Sequence, residues 1–248
     1  IYFTKMHGNG NDFIIIDNRI SLTKDIHLST FVKTIAERHF HIGADGVMLL
    51  ERVEDGVVTM RYFNSDGSEG EMCGNGARCF ARYVYENGLT EKQFSIQTLS
   101  GIYGATIMDD ETVEISFPAY QIEQFIPYNV ASKMIYFVTV GVPHVVFFEK
   151  DIMNIDPIMY EKNARKIRYN KELFPNGTNV NMVELVAGNK LFVRTYERGV
   201  EEETYACGTG AIASSLISAS LGKVKSPVTV KMKGGDLIVR FDEINGVY

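Results

Sequence analysis

Apolar residues in this chain gather mostly in short runs and alternations. Phe13–Asp17, Gly46–Glu51, Val57–Phe63, Phe94–Thr98, Thr112–Phe117, Ile135–Thr139, Val145–Glu149, Asn181–Leu185, Lys190–Tyr196, Val228–Lys231 and Leu237–Phe241 read as β-strands. Phe13–Ile16 and Val145–Phe148 are apolar at every position and predict strands buried on both faces. Gly234-Gly235 predicts a hairpin between the last two strands. Helical spacing is rarer. Thr30–Arg38 predicts a helix with Phe31, Ile35 and Ala36 on one face. Ala77–Glu86 sets Ala77, Phe80, Ala81 and Val84 on one face and stops at Asn87-Gly88. Ala211–Leu221 carries no charge and stops at Gly222, which predicts a helix buried all round.

The two special helices follow the same signature. Cys73-Gly-Asn-Gly-Ala77 precedes one and Cys207-Gly-Thr-Gly-Ala211 the other, 134 residues apart. That offset also carries Gly43-Ala-Asp45 onto Gly177-Thr-Asn179. Within a residue it carries Tyr62-Phe63-Asn64 onto Thr195-Tyr196-Glu197, and Gly8–Asn11 onto Gly141–His144. Four anchors in one order predict a duplication: two similar α/β halves, 1–118 and 119–248, bracketed by Phe117-Pro118 and Ile126-Pro127.

Composition narrows the class. Among 248 residues 45% are hydrophobic and 23% charged, an ordinary globular mixture that excludes a disordered chain. The net charge of −6 gives no global attraction for nucleic acid or anionic membranes. No run approaches the roughly 18 apolar residues of a membrane span. The first residues lack the layout of a signal peptide, and three scattered cysteines give no disulfide framework, so the expected location is the reducing cytoplasm. Asn176-Gly177-Thr178, formally a glycosylation sequon, reads as a turn in that setting. The lack of an initiator Met and the end at Tyr248 suggest missing terminal segments.

Each paired cysteine stands before a Gly-x-Gly that opens a helix. Such a terminus presents free N–H groups and a partial positive charge, which hold a carboxylate and favour thiolate over thiol. Two such sites facing each other across a cleft would set a thiolate on one side of a bound carbon and a thiol on the other, an arrangement for moving a proton at a stereocentre. The competing readings are weaker. Cys79 reads as a small buried hydrophobe. Zinc and redox chemistry would call for a Cys-x-x-Cys spacing, which is absent. A phosphate loop would call for Gly-Lys-Ser/Thr.

The motifs Lys5-Met-His-Gly-Asn-Gly-Asn-Asp-Phe13, Gly43-Ala-Asp-Gly46, Phe63-Asn-Ser-Asp-Gly67, Cys73-Gly-Asn-Gly-Ala-Arg78, Gly141-Val-Pro-His144, Asn179-Val-Asn181, Tyr196-Glu-Arg-Gly199 and Ala206-Cys-Gly-Thr-Gly210 occur in one order along the chain. Together they resemble the diaminopimelate epimerase family, over essentially the whole length. The resemblance implies a fold of two pseudo-symmetric domains, each a barrel-like, mostly antiparallel sheet around a central helix, with the last residues crossing back to the first half. It implies a homodimer, no cofactor, no metal, and no nucleic-acid or membrane partner. The implied reaction is epimerisation of LL-diaminopimelate to the meso form, serving lysine and peptidoglycan precursor synthesis.

By the resemblance, Cys73 and Cys207 are the acid/base pair, and His144 and Glu197 assist the thiols. Gly74, Asn75, Gly208 and Thr209 surround the α-carboxylate. Asn11, Asn64, Asn179 and Arg198 hold the substrate, with Arg198 suited to a distal carboxylate. Taken singly, each Asn also reads as a turn residue, His144 as a loop histidine and Glu197–Arg198 as an exposed pair. Arg78 is expected in a structural salt bridge, and His7, His39 and His41 as structural residues. Many family members carry Gln where Gly46 stands and Asn where Val142 stands, and the stretch from Arg198 to Cys207 is one residue longer than usual. A proline racemase-like or phenazine-biosynthesis-like isomerase, or a redox thiol protein, is the competing function. Paired cysteines weigh against the phenazine type. Arg198 with several Asn weighs against proline and against redox signalling.

Overall fold

The uninterrupted apolar strands are covered on both faces. In the computed structural model, which describes residues 1–118, 128–130 and 133–242, Phe13 and Ile15 face one cluster while Ile14 and Ile16 face another. The chain divides into two compact units, Ile1–Pro118 and Ala119–Tyr248.

Unit 1 holds β1 (Thr4–Gly8), β2 (Asn11–Asp17), α1 (Leu28–Ala36), β3 (Gly46–Glu54), β4 (Val57–Asn64), β5 (Glu69–Gly70), α2 (Gly74–Glu86), β6 (Gln93–Thr98), β7 (Gly101–Ile107) and β8 (Val113–Ser116). Its sheet runs β1-β2-β3-β4-β6-β7-β8, with β5 beside β4. Helix α2 packs on β1 and β2 near one end of the sheet and on β7 and β8 at the other, so the sheet curls around it. The inner cluster joins Ala77, Phe80, Ala81 and Val84 to Phe13, Met48, Val58 and Ile96. Helix α1 covers the outer face, where Val32 meets Ile14, Val47 and Leu49.

Unit 2 holds β9 (Tyr128–Val130), β10 (Lys133–Val140), β11 (Val142–Phe148), α3 (Pro157–Arg168), β12 (Asn179–Val186), β13 (Lys190–Tyr196), α4 (Gly208–Ser220), β14 (Val228–Met232) and β15 (Gly235–Val239). Its sheet runs β15-β14-β13-β12-β11-β10-β9. Helix α4 takes the inner position and α3 the outer one.

Topology repeats along the main path of each sheet, with β5 an addition in unit 1. The pair β2/β3 is parallel across α1, and β11/β12 is parallel across α3. Antiparallel β3/β4 and parallel β4/β6 answer to β12/β13 and β13/β14. In each unit four of the six successive pairings along the sheet are antiparallel, so each sheet is mostly antiparallel, as expected.

Both inner helices end alike. Gly88 and Gly222 adopt left-handed φ of 67° and 68°. Their N–H groups donate to Tyr85 and Ala219, and the next N–H groups, of Leu89 and Lys223, donate to Val84 and Ser218. This is the Schellman pattern that glycine permits.

Several expectations need correction. The first helix spans Leu28–Ala36, and Val32 is its fully buried residue, with Phe31 and Ile35 only half-buried. Both inner helices start three residues earlier than their apolar periodicity, because Gly-x-Gly forms the first turn. Strands β1 and β7 and helix α3 carry weaker signals. Of the twelve residues of α3, only Tyr160, Ala164 and Ile167 are buried, though the Asp156 cap and Pro157 mark its start. The last hairpin turns at 233–234, with Gly235 already in β15. The bracket at Ile126-Pro127 and the last residues, 243–248, expected to cross back, lie outside the described residues. Among the described residues no helix is long and apolar enough to cross a membrane.

Candidate active site

Cys73 and Cys207 are each the residue just before an inner helix. Cys73 caps α2 with φ −134° and ψ 116°, and Cys207 caps α4 with φ −126° and ψ 109°, the same extended conformation twice. Gly74 and Gly208 follow at the first helical position, where N–H groups have no partner inside the helix. The first helical bonds run from Ala77 to the Cys73 carbonyl and from Ala211 to the Cys207 carbonyl.

In unit 1 three expected residues meet. The Asn11 Oδ1 lies 3.8 Å from the Cys73 Sγ and accepts from Asn75 Nδ2 at 3.2 Å. Its Nδ2 donates to Asp45 at 2.8 Å, which sets the amide's direction. Asp45 is held by Arg38 at 2.7 Å, and Arg38 and Lys5 both pair with Asp12. Burial raises the Asp12 carboxyl, but the hydrogen bonds and charges of Arg38 and Lys5 outweigh it and hold the group well below the usual carboxylate range. Asn64 sits at the end of β4, where it accepts from the Tyr62 hydroxyl at 2.9 Å and donates to Ser68 at 3.1 Å.

Gly46 has a local reason. A Cβ there would meet the Tyr62 ring at 2.6 Å, and one at Gly70 would meet the same ring at 2.6 Å. Tyr62 fills the space a side chain at position 46 would occupy, and its hydroxyl supplies a polar contact to Asn64.

In unit 2, Cys207 lies 3.5 Å from the Thr209 hydroxyl, and its Sγ accepts from the Gly210 N–H at 3.4 Å. Burial pushes the Cys207 thiol well above its ordinary range, and the Glu197 carboxylate adds to the push. Thr209 and Gly210 pull the other way without reversing it. This corrects the expectation of a lowered value. At Cys207, desolvation and a neighbouring negative charge outweigh the helix terminus. Glu197 accepts from Thr204 at 2.6 Å.

His144 is fully buried at the start of β11. Asn181 Nδ2 lies 3.1 Å from its Nδ1, and Asn179 Nδ2 lies 3.4 Å from its Nε2. Burial, with the Arg198 charge, pushes the imidazole down to about 3. Asn179 Oδ1 accepts from the Arg198 backbone N–H at 2.7 Å, and Arg198 Nη1 donates to the Asn176 carbonyl at 3.1 Å. The loop after β13 is pinned by Arg168–Glu201 and Arg194–Glu203, each at 2.7 Å. Among the described residues Glu197 bonds Thr204 and Arg198 bonds Asn176, and the expected exposed Glu197–Arg198 pair is not seen.

The amides of Asn11, Asn64 and Asn179 bond residues distant in sequence or other side chains, not their own backbone. Arg78 departs from its expected salt bridge. Among the described residues its guanidinium donates to the amide oxygens of Asn9 (2.7 Å) and Asn75 (3.0 Å). Cys79 is buried and pushed up to about 12 by burial, in keeping with a packing role. His7 and His41 are exposed, and His41 lies 3.6 Å from Glu37.

Asn181 and Thr195 were not singled out as site residues. They pair across β12 and β13, both fully buried, and Thr195 donates to Asn181 Oδ1 at 2.9 Å. Their signal was present: Asn at alternate positions of an otherwise apolar strand. Asp45 and Arg38 had no such signal, since charged residues near a turn are ordinary. Among the described residues no three His, Cys, Asp or Glu side chains converge as metal ligands.

Known proteins resemble this chain in fold and in sequence. The solved structures of a phenazine biosynthesis protein of the PhzF family from Bacillus anthracis (TM-score 0.68, 16% identity, 95% of this chain and 87% of that one) and of a hydroxyproline epimerase from Agrobacterium vitis (TM-score 0.69, 14% identity, 97% and 82%) share its fold. In sequence it is 42% identical to the diaminopimelate epimerase of Methanocella arvoryzae, over 97% of this chain and 90% of the relative, and 41% identical to that of Archaeoglobus fulgidus, over 98% and 90%. The family model described as diaminopimelate epimerase matches residues 3–119 and 136–247. The chain therefore belongs to the diaminopimelate epimerase family and is an isomerase of the epimerase class.

Proposed function

We propose that this chain converts LL-diaminopimelate to the meso isomer with its two helix-capping cysteines as acid and base, without a cofactor. One observation carries the reading: a cysteine in the same backbone conformation at the head of the inner helix of each repeat. A two-base epimerisation uses a proton carrier on each face of one carbon, and a duplicated unit supplies two like groups.

The Cys73 thiolate takes the α-proton, and the electron pair left on carbon delocalises into the α-carboxylate. N–H groups at Gly74, Asn75, Gly208 and Thr209 stabilise that charge. The Cys207 thiol delivers its proton to the opposite face and becomes thiolate. Burial and Glu197, which keep the Cys207 proton in place at rest, support this direction for the LL isomer. The meso isomer runs the same steps backwards. Asn11, Asn64, Asn179 and Arg198 hold the distal end, with the guanidinium on its carboxylate. His144 assists the thiols. The family resemblance further leads us to propose a cytoplasmic homodimer that feeds lysine and peptidoglycan precursor synthesis.

The test is proton exchange in heavy water with reduced protein and LL-diaminopimelate. The expected outcome is loss of the α-proton signal together with appearance of the meso isomer. Cys73→Ala and Cys207→Ala should each lower epimerisation by about 10²–10⁴-fold. Exchange and turnover on proline or hydroxyproline, with none on diaminopimelate, would overturn the substrate assignment.

A further inference from the structure

The hydrogen bonds around His144 fix its proton. Five groups take part, and two of them are backbone groups whose roles are unambiguous. The Val145 carbonyl can only accept, and it takes a hydrogen bond from Asn181 Nδ2 at 2.9 Å. That contact decides which end of the Asn181 amide is nitrogen. The Thr195 hydroxyl donates to the other end, Oδ1, at 2.9 Å. The second N–H of Asn181 therefore points at His144 Nδ1, 3.1 Å away. On the other side of the ring, the Arg198 backbone N–H can only donate, and it gives its hydrogen to Asn179 Oδ1 at 2.7 Å. The Asn179 nitrogen then faces His144 Nε2 at 3.4 Å.

Both ring nitrogens thus face amide N–H groups. An imidazolium, with N–H at both positions, would set two donors against two donors in a fully buried site. A neutral imidazole can accept at one nitrogen only. The shorter contact, from the amide pinned at three points, is the one at Nδ1.

We propose that Asn181 is a positioning residue that holds His144 as the neutral tautomer with its proton on Nε2, so that His144 serves the reaction as a hydrogen-bond donor and never as a base. Among the described residues Nε2–H has no acceptor, because Asn179 presents nitrogen to it. A buried donor without an acceptor is costly, and an anionic acceptor relieves it. On the reading that His144 assists the thiols, the matching acceptor is a cysteine thiolate, to which Nε2–H donates. This role rests on the epimerase reading above; the tautomer itself does not. The backbone makes room for the network: a Cβ on Gly210 would meet Asn181 Oδ1 at 2.5 Å.

The test is nitrogen-15 NMR of the full-length, reduced, wild-type protein labelled at histidine, with His144→Gln used to assign the ring signals. The expected spectrum at neutral pH shows an unprotonated Nδ1 and a protonated Nε2 for His144. A protonated Nδ1, alone or with Nε2, would overturn the proposal without any folding question. Asn181→Leu removes the donor; the expected outcome is a His144 ring that populates the Nδ1–H form, with kcat lowered about tenfold or more. Where that variant does not fold, Thr195→Val, which loosens the same amide, should shift the Nδ1 signal. An unchanged Nδ1 signal in a folded Asn181→Leu would also overturn the assignment. An Nε2–H tautomer in a protein that does not epimerise diaminopimelate would overturn the substrate reading and leave the tautomer standing.

Discussion

Cys73 and Cys207 share a backbone conformation but not an environment. Cys73 is partly exposed beside a neutral amide oxygen, whereas Cys207 is buried beside Glu197. Peptide mapping after brief iodoacetamide treatment should therefore find Cys73 modified before both Cys207 and Cys79, whose buried thiols are pushed up, that of Cys79 to about 12. Tyr62 predicts a coupled pair of substitutions. Gly46→Gln, which restores the family's more frequent residue, collides with the Tyr62 ring and should cost about 1–3 kcal/mol by chemical denaturation. Combining it with Tyr62→Ala should recover part of that loss. Asp12 predicts a pH dependence. Its carboxyl is held below the usual range by Arg38 and Lys5, so its contribution is present above the unfolded carboxylate value and is lost as pH falls through the folded one. Asp12→Asn should destabilise by about 1 kcal/mol at neutral pH, because the partners are partly exposed. The gap to wild type should narrow as the solution is acidified below the usual carboxylate range.

At the scale of elements, α4 and α3 are opposites. Helix α4 buries eight of its thirteen residues and carries no charge, so every face packs. Ile217→Ala should cost about 2–5 kcal/mol, as deletions in a filled core do. On α3, Ile158 is 77% exposed, and Ile158→Ala should stay within about 0.5 kcal/mol of wild type. Equal losses in the two variants would contradict the burial assigned to these helices. The contrast also explains what could be read in advance. An uncharged helix after Gly-x-Gly is conspicuous in sequence. A helix that buries three residues of twelve resembles a polar loop, and its Asp156-Pro157 start was the only marker available.

At the scale of the molecule, each unit has an inner cluster around its own helix and an outer cluster beneath a second helix. A unit of this size can support an independent core. We propose that residues 1–118 fold alone. Hydrogen exchange on that fragment should show protected amides in β2, β3 and α2 and a cooperative unfolding transition. Epimerisation should be absent, because the fragment lacks Cys207. A fragment with no protected amides would show that unit 1 depends on the rest of the chain.

Sequence by itself determined the duplication, the strands that bury both faces, the inner helices and the paired cysteines. These features follow from local chemistry: unbroken apolar runs have to be covered, and glycine marks places where the backbone must bend or stay bare. The family also followed from it, because eight motifs kept their order. Tertiary structure alone decided the electrostatics. A cysteine before a helix reads as a thiolate, yet burial and Glu197 reverse that at Cys207. A histidine after Gly-Val-Pro, taken singly, reads as a loop residue, yet it lies buried in a strand with two asparagines of another strand on its ring. The direction of a hydrogen bond and the cost of a charge depend on neighbours that are 35 or 37 residues away along the chain, and only the folded chain brings those neighbours together.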